Sequence, residues 1–241
     1  MDYLPYIERL YHDTFLNNCV KLKQMLINIR NFFRLASRAI FPRKCIGCKA
    51  VDFWICEKCI SGVPKSFENP LPWSASVFEY KNRLIRKAVW MIKFSHKYSV
   101  LDDLEKTLGE NFDAFLEKQK IKQKEVLLVP VPITKRSMVA RGYNQSLLIS
   151  KILSKSQNKT KVEDSILIKT KNHLPQNKIK NRMKRLDNVK NSFHVKNPEK
   201  VKGKIIILID DVVTTGATLK EAKKALTLSG AKKVFGFSIA H

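Results

Sequence analysis

Ile205-Ile-Ile-Leu-Ile-Asp210-Asp211-Val-Val-Thr214-Thr215-Gly216-Ala217-Thr218 is the stretch on which the fold of this chain turns. Five consecutive branched apolar residues without polar alternation read as a strand covered on both faces, the pattern of a parallel sheet. The strand delivers two adjacent acids to the sheet's edge, and a loop of two threonines, a glycine and a third threonine leads straight into a helix. Backbone amides at that helix start, helped by the hydroxyls of Thr214, Thr215 and Thr218, form a pocket for a phosphate dianion, with Gly216 allowing close backbone approach. The paired carboxylates of Asp210 and Asp211 suit hydroxyl groups or a phosphate-bound Mg2+. Together they describe a sugar-phosphate site. The plainer reading, a turn and helix cap with solvated acids, explains each residue singly but not the whole string.

Working outward, Lys233–Ile239 forms a final strand after a helix over Leu219–Ser229. Upstream, Val77–Tyr80 suggests a short strand, Leu84–Phe94 and Leu101–Gln119 read as helices, and Val126–Val129 is a short buried strand ending in Pro130-Val131-Pro132. A polar loop and a helix over Asn144–Lys155 follow, then a strand candidate at Ile166–Ile168. Strand–helix alternation with continuous apolar strands predicts an α/β fold, an open parallel sheet with helices on both faces. Ligands of such folds bind at the carboxyl ends of the strands.

Four of the five cysteines, Cys45, Cys48, Cys56 and Cys59, form C-x2-C-x7-C-x2-C. Two such knuckles supply four soft ligands, so in a reducing compartment they predict a structural Zn2+ site with no place left for substrate. Redox pairs and a cluster without metal are the alternatives. Cys19 stands outside the pattern and reads as a small buried side chain. Ahead of the cysteines, Leu22, Met25, Leu26, Ile29, Phe32, Phe33, Ala36 and Ile40 recur at helical spacing beside Arg30, Arg34 and Arg38, a basic amphipathic helix. Packing on its own domain, docking on a partner and lying on an acidic membrane surface all suit it.

The chain has 241 residues and a formal net charge of +25, with 44% hydrophobic residues, which excludes a disordered polycation. Such a surplus draws nucleic acid, acidic lipid or phosphorylated ligands. It is concentrated: Lys169–Lys204 carries twelve Lys/Arg against two acids, and Lys81–Lys97 six basic residues and no acid. No apolar run reaches the roughly 18 residues of a membrane span, and Met1–Arg9 lacks the features of a secretory signal. The expected location is the cytoplasm, with peripheral contact at the inner face of the membrane left open.

The quoted string resembles the 5-phosphoribosyl 1-pyrophosphate (PRPP) motif of type I phosphoribosyltransferases. The cysteine cluster, Val129-Pro-Val-Pro132, Arg136, Arg141-Gly-Tyr-Asn-Gln145, Pro175-Gln176, Arg182 and Asn188-Val189 keep the order seen in ComF/GntX family competence proteins. The resemblance implies a phosphoribosyltransferase-like domain over 73–241, a zinc module over 42–72 and a basic helical extension over 1–41. It also implies that Asp210 and Asp211 contact the ribose hydroxyls as the catalytic acids, and that residues 214–218 hold the 5-phosphate. Pro132, Ile133, Thr134 and Lys135 fall in the pyrophosphate loop, while Arg141, Asn144 and Gln145 hold that loop or meet the pyrophosphate. Residues 169–189 resemble the loop that closes over substrate, although Lys169 and Lys171 replace arginines and His173-Leu174 stands where a threonine is usual.

Two functions follow as expectations. One is a competence protein that handles incoming single-stranded DNA during natural transformation, binding Mg2+–PRPP and working with DNA-uptake or translocation proteins. Trp54, Trp73, Phe94, Tyr98 and Tyr143 are its candidate stacking residues, each of which also suits a core. The other is an active enzyme that transfers phosphoribosyl from PRPP to an acceptor. His96, His173 and His194 are isolated and read as surface residues. Part of the lysine surplus also fits an AT-rich codon bias.

Overall fold

The computed structural model describes residues 25, 42–66, 71–155, 157–169 and 192–241. The helix expected over 22–40 lies outside them except for Met25, as do Cys19 and the closing loop beyond Lys169. Of the described residues, 25 and 42–45 with 49–53 belong to one compact unit, and 46–48 with those from 54 onward to another. In the first, Lys44 and Val51 form an antiparallel bridge, closed by hydrogen bonds from Asp52 N to Arg43 O and from Cys45 N to Ala50 O, each 2.8 Å.

The second unit begins with α1 (Glu57–Ser61), β1 (Ser74–Phe78), α2 (Arg83–Phe94), α3 (Val100–Lys118) and β2 (Val126–Pro130). It continues through α4 (Lys135–Arg141), α5 (Gln145–Lys155), β3 (Thr160–Val162), β4 (Leu167–Lys169) and β5 (Phe193–Val195). It ends with β6 (Ile205–Val212), α6 (Ala217–Leu228) and β7 (Lys233–Ala240). Five strands form a parallel sheet in the order β1-β7-β6-β2-β3, and β4 and β5 make a separate antiparallel pair.

The unbroken apolar run of β6 has a direct cause. Ile205, Ile207 and Ile209 enter one core with Leu104, Leu108 and Phe112 of α3 and Ile149 and Leu153 of α5. Ile206 and Leu208 enter a second core with Leu219, Ala222 and Leu226 of α6 and with Leu167 and Phe193 of the β4–β5 pair. Successive side chains of a strand point to opposite faces, so a strand between two cores has no position for a polar residue. Each of these side chains stabilises the fold by about 1.5–3 kcal/mol relative to exposure. The expected parallel sheet with both faces covered is the one observed.

The strand order places the site. From β2 the chain passes through α5 to β3 on one side, whereas from β6 it passes through α6 to β7 on the other. Strand order therefore reverses between β2 and β6, and the crevice of an open α/β sheet lies at the carboxyl ends of such a pair. Those ends are Pro130–Pro132 and Asp210–Thr218.

Three details differ from the sequence reading. The last strand before the motif runs to Val212, so both acids are ladder residues, with Asp210 opposite Ser238 of β7. The first strand begins at Ser74 instead of Val77, because its buried serines are satisfied inside the sheet: Ser76 Oγ lies 2.7 Å from Ser238 Oγ. The polar loop after Pro132 contains α4, a helix with no buried residue.

Candidate functional site

At the end of β6 the two carboxylates are held differently. Asp210 Oδ1 accepts the Asp211 backbone N–H at 2.9 Å and the Ser146 hydroxyl at 3.3 Å. Asp211 Oδ1 accepts Lys93 Nζ at 2.9 Å. Burial, reinforced by the Asp211 carboxylate alongside, pushes the Asp210 carboxyl up to about 7, against the pull of Lys93 and the two hydrogen bonds. Lys169, at the end of β4, is half-buried with its Nζ over the Phe193 ring at 5.4 Å. Burial lowers its pKa, and the charge of Asp210 opposes that shift. Two acids and two lysines thus converge on the carboxyl end of β6.

The threonine loop follows directly. Thr214 is exposed, Thr215 and Thr218 are half-buried, and Gly216 and Ala217 are buried. Gly216 sits at φ 73° as the N-cap of α6, and the Ala217 N–H points to Thr215 Oγ1 at 3.4 Å. A Cβ on Gly216 would lie 2.9 Å from three side-chain carbons of Leu71, which is itself buried and unable to swing outward. Gly216→Ala therefore incurs both left-handed backbone strain and a clash. The expected loss is about 1–3 kcal/mol of stability, read as a lower urea midpoint. An unchanged midpoint would contradict this account of the loop.

Across the crevice, Pro132, Ile133 and Thr134 are half-buried and Lys135 is exposed. Thr134 acts locally, since its Oγ1 accepts the Ser137 N–H at 3.1 Å and caps α4. Asn144 Nδ2 donates to Val131 O at 3.0 Å, fixing the backbone of this loop. Arg141 stacks over Phe94 at 5.3 Å. Gln145, between Asn144 and Ser146, is buried, and its Nε2 has no hydrogen-bond partner among the described residues. An orphaned buried donor beside the crevice fits a site completed by an anionic ligand.

The four cysteines come together. Their sulfurs all lie within 4.8 Å of one another, with Cys48 and Cys56 Sγ 3.4 Å apart. Thiolates around one ion at about 2.3 Å stand about 3.8 Å apart, so the cluster fits a tetrahedral metal. Gly47 permits the approach, since a Cβ there would lie 2.7 Å from Cys59 Sγ. The second knuckle is anchored to α3: Asp103 Oδ2 accepts the backbone N–H groups of Trp54 at 2.7 Å and Ile55 at 3.2 Å, and Trp54 Nε1 donates to Ser99 Oγ at 3.0 Å.

A fold, a crevice and a motif of this kind invite comparison with known proteins. The family model "Phosphoribosyl transferase domain" matches residues 116–237, just over half of the chain. The chain belongs to that family. The chain is also similar, over 206 residues and at 27% identity, to "DNA utilization protein YhgH" of Escherichia coli (strain K12), covering 79% of this chain and 85% of that one. It is 28% identical over 165 residues to "Competence protein ComFC" of Bacillus subtilis (strain 168), covering 68% and 62%. It is 29% identical over 114 residues to "Competence protein F" of Haemophilus influenzae, covering 47% and 49%. The resemblance to ComF-type competence proteins stands on these relatives together with the clustered cysteines.

Sequence reasoning missed three residues at or near this site. Ser146, on Asp210, is one hydroxyl among many. Lys93, on Asp211, is one of six basic residues between Lys81 and Lys97 that the sequence does not tell apart. Trp90 is not among the candidate stacking residues named from the sequence, yet it is 55% exposed on α2 beside the comparably exposed Phe94. Of the candidate stacking aromatics, Phe94 and Tyr98 are exposed, while Trp54, Trp73 and Tyr143 are half-buried and engaged by Lys97, Lys223 and the Ile92 carbonyl respectively. His96 and His194 are exposed. A cavity of about 400 Å3 opens at the opposite end of the sheet, where Lys161, Lys200 and Lys204 are paired with Glu163 and Glu125.

Proposed function

We propose that this protein handles single-stranded DNA in the manner of the competence and DNA-utilization proteins it resembles, using a PRPP-binding domain as its scaffold. The observation that carries the reading is the outer face of α2. Arg83, Arg86, Lys87, Trp90 and Phe94 are all exposed and recur at helical spacing, and the Trp90 and Phe94 rings lie 6.3 Å apart. Basic groups that track a phosphate backbone, interleaved with aromatic rings on which bases stack, are the recurring means of sequence-tolerant single-strand binding. The names of the relatives favour this reading over phosphoribosyl transfer to an acceptor.

In this reading the loop over 214–218 holds the 5-phosphate of PRPP, the free Oδ2 atoms of Asp210 and Asp211 take the ribose hydroxyls, and the loop over 132–135 with Arg141 faces the pyrophosphate. Mg2+, when bound, neutralises phosphate charge next to the acids. Zn2+ is the metal of Cys45, Cys48, Cys56 and Cys59, where it holds the two knuckles and leaves no position for chemistry. No helix among the described residues is long and apolar enough to cross a membrane. Peripheral contact with the inner membrane face and with uptake or translocation proteins fits the basic character of the chain.

Trp90→Ala and Phe94→Ala test the surface. Each is expected to weaken binding of a labelled single-stranded oligonucleotide by about tenfold, the cost of about 1–3 kcal/mol for a lost stacking platform. Because both side chains are exposed, thermal stability should stay within about 1 kcal/mol of the parent. Undiminished DNA binding by the double variant would remove this face from the account.

A further inference from the structure

We propose that Lys93 is a positioning residue of the ribose site, supplied by α2 from outside the acid–threonine motif; the inference rests on the PRPP reading of that motif. Lys93 differs from its neighbours. Arg83, Arg86 and Lys87 on the same helix are exposed, whereas the Lys93 side chain is 22% exposed and lies against an Asp211 side chain that is 10% exposed. The helix turns one cation inward, onto one acid of the pair.

The geometry of the carboxylates gives this cation its role. A ribose presents two adjacent hydroxyls, and binding them needs two adjacent acceptors held still. Asp210 commits Oδ1 to the Asp211 N–H and the Ser146 hydroxyl, and Asp211 commits Oδ1 to Lys93. Neither Oδ2 has a partner among the described residues, so the pair presents two unengaged oxygens. Without Lys93, Asp211 is a buried carboxylate beside another carboxylate, with no side-chain hydrogen bond to choose its rotamer and no cation of its own; Lys169 interacts with Asp210. Lys93 holds the Asp211 carboxylate by one oxygen and leaves the other for substrate, which a carboxylate with about four lone-pair sites allows. The 5-phosphate loop over 214–218 does not depend on this contact.

Calorimetric titration of the full chain with three probes, inorganic phosphate, ribose 5-phosphate and Mg2+–PRPP, separates these contributions. Lys93→Met and Lys93→Gln are expected to weaken ribose 5-phosphate and Mg2+–PRPP by about tenfold or more while leaving inorganic phosphate within about twofold, and Lys93→Arg is expected to recover most of the loss. A structural role alone would lower all three affinities together with the melting temperature. That outcome, or unchanged ribose 5-phosphate binding in Lys93→Met or Lys93→Gln, would overturn the assignment. Failure of the unsubstituted chain to bind either sugar phosphate would overturn the PRPP reading itself, and this inference with it.

Discussion

Replacing Cys56 and Cys59 by serine is expected to abolish bound zinc and to lower the melting temperature of the whole chain by about 10 °C or more, the consequence of losing several kcal/mol of metal binding. The effect reaches beyond the knuckles because their residues are part of the main core. Ile55, Ile60 and Val63 share a cluster with Phe78, Leu101 and Phe112, and Asp103 of α3 accepts from the amides of Trp54 and Ile55. Opening the cluster exposes apolar surface and strips that carboxylate of two donors. A chelator should reproduce the shift in the unsubstituted chain and add nothing to the double variant. Metal analysis should give one zinc per chain before treatment. Protein purified without zinc and indifferent to chelation would show that the four sulfurs serve another purpose.

Loss of Mg2+–PRPP binding on substitution of the acids is the second large effect. Asp210→Asn and Asp211→Asn are each expected to weaken binding by about ten- to hundredfold, the range for losing a charged acceptor to a hydroxyl. A pH signature separates Asp210 from a general loss of structure. Its carboxyl is pushed up to about 7 by burial and by the neighbouring acid, so at about pH 6 the ligand-free site is mostly protonated there. Binding that needs the carboxylate then has to expel a proton, and affinity should rise by about tenfold from about pH 6 to about pH 8. For the ligand-free fold the sign is opposite. A carboxyl whose folded pKa lies above its unfolded value contributes stability below about pH 4 that is lost as pH rises through about 7. The ligand-free chain should therefore lose about 2 kcal/mol through this group between about pH 5 and about pH 8, and Asp210→Asn should lack that slope. Parallel pH profiles for the two proteins would contradict the assigned shift.

What could be read in advance, and what could not, follows from how many constraints bear on each residue. The run from Ile205 to Ile209 is legible because two flanking cores demand an unbroken apolar strand, and the string from Asp210 to Thr218 because its residues match a known motif position by position. The cysteine cluster is legible because four ligand positions at two fixed spacings leave few other uses. By contrast β3, Thr160-Lys-Val162, is an edge strand paired only with β2, and its burial is too slight to leave an apolar pattern. The seven residues of α4 bury nothing, so no periodicity marks them. Lys93 and Ser146 were invisible for another reason. Each acts through a single tertiary contact, to Asp211 and Asp210, and one polar side chain on a helix carries no trace of the partner that it meets across the fold. Trp90 went unnamed because composition does not tell an exposed aromatic residue from a buried one; the fold shows it outside, on the same helix face as Phe94 and Arg86. The charge surplus likewise gained an address, because the segment between Lys81 and Lys97 supplies both an exposed basic face and a cation that turns in toward the acids.

The central claim is that a PRPP-type scaffold carries a single-strand binding face, and salt-titrated binding of a single-stranded oligonucleotide, with and without Mg2+–PRPP, tests it most directly. With about four to six phosphates neutralised, affinity should fall by about fiftyfold or more between about 50 and 200 mM salt, and the slope should shrink when Arg83, Arg86 and Lys87 are replaced by glutamine. Binding that is flat across this range, or that is absent at low salt both with and without Mg2+–PRPP, would contradict the account.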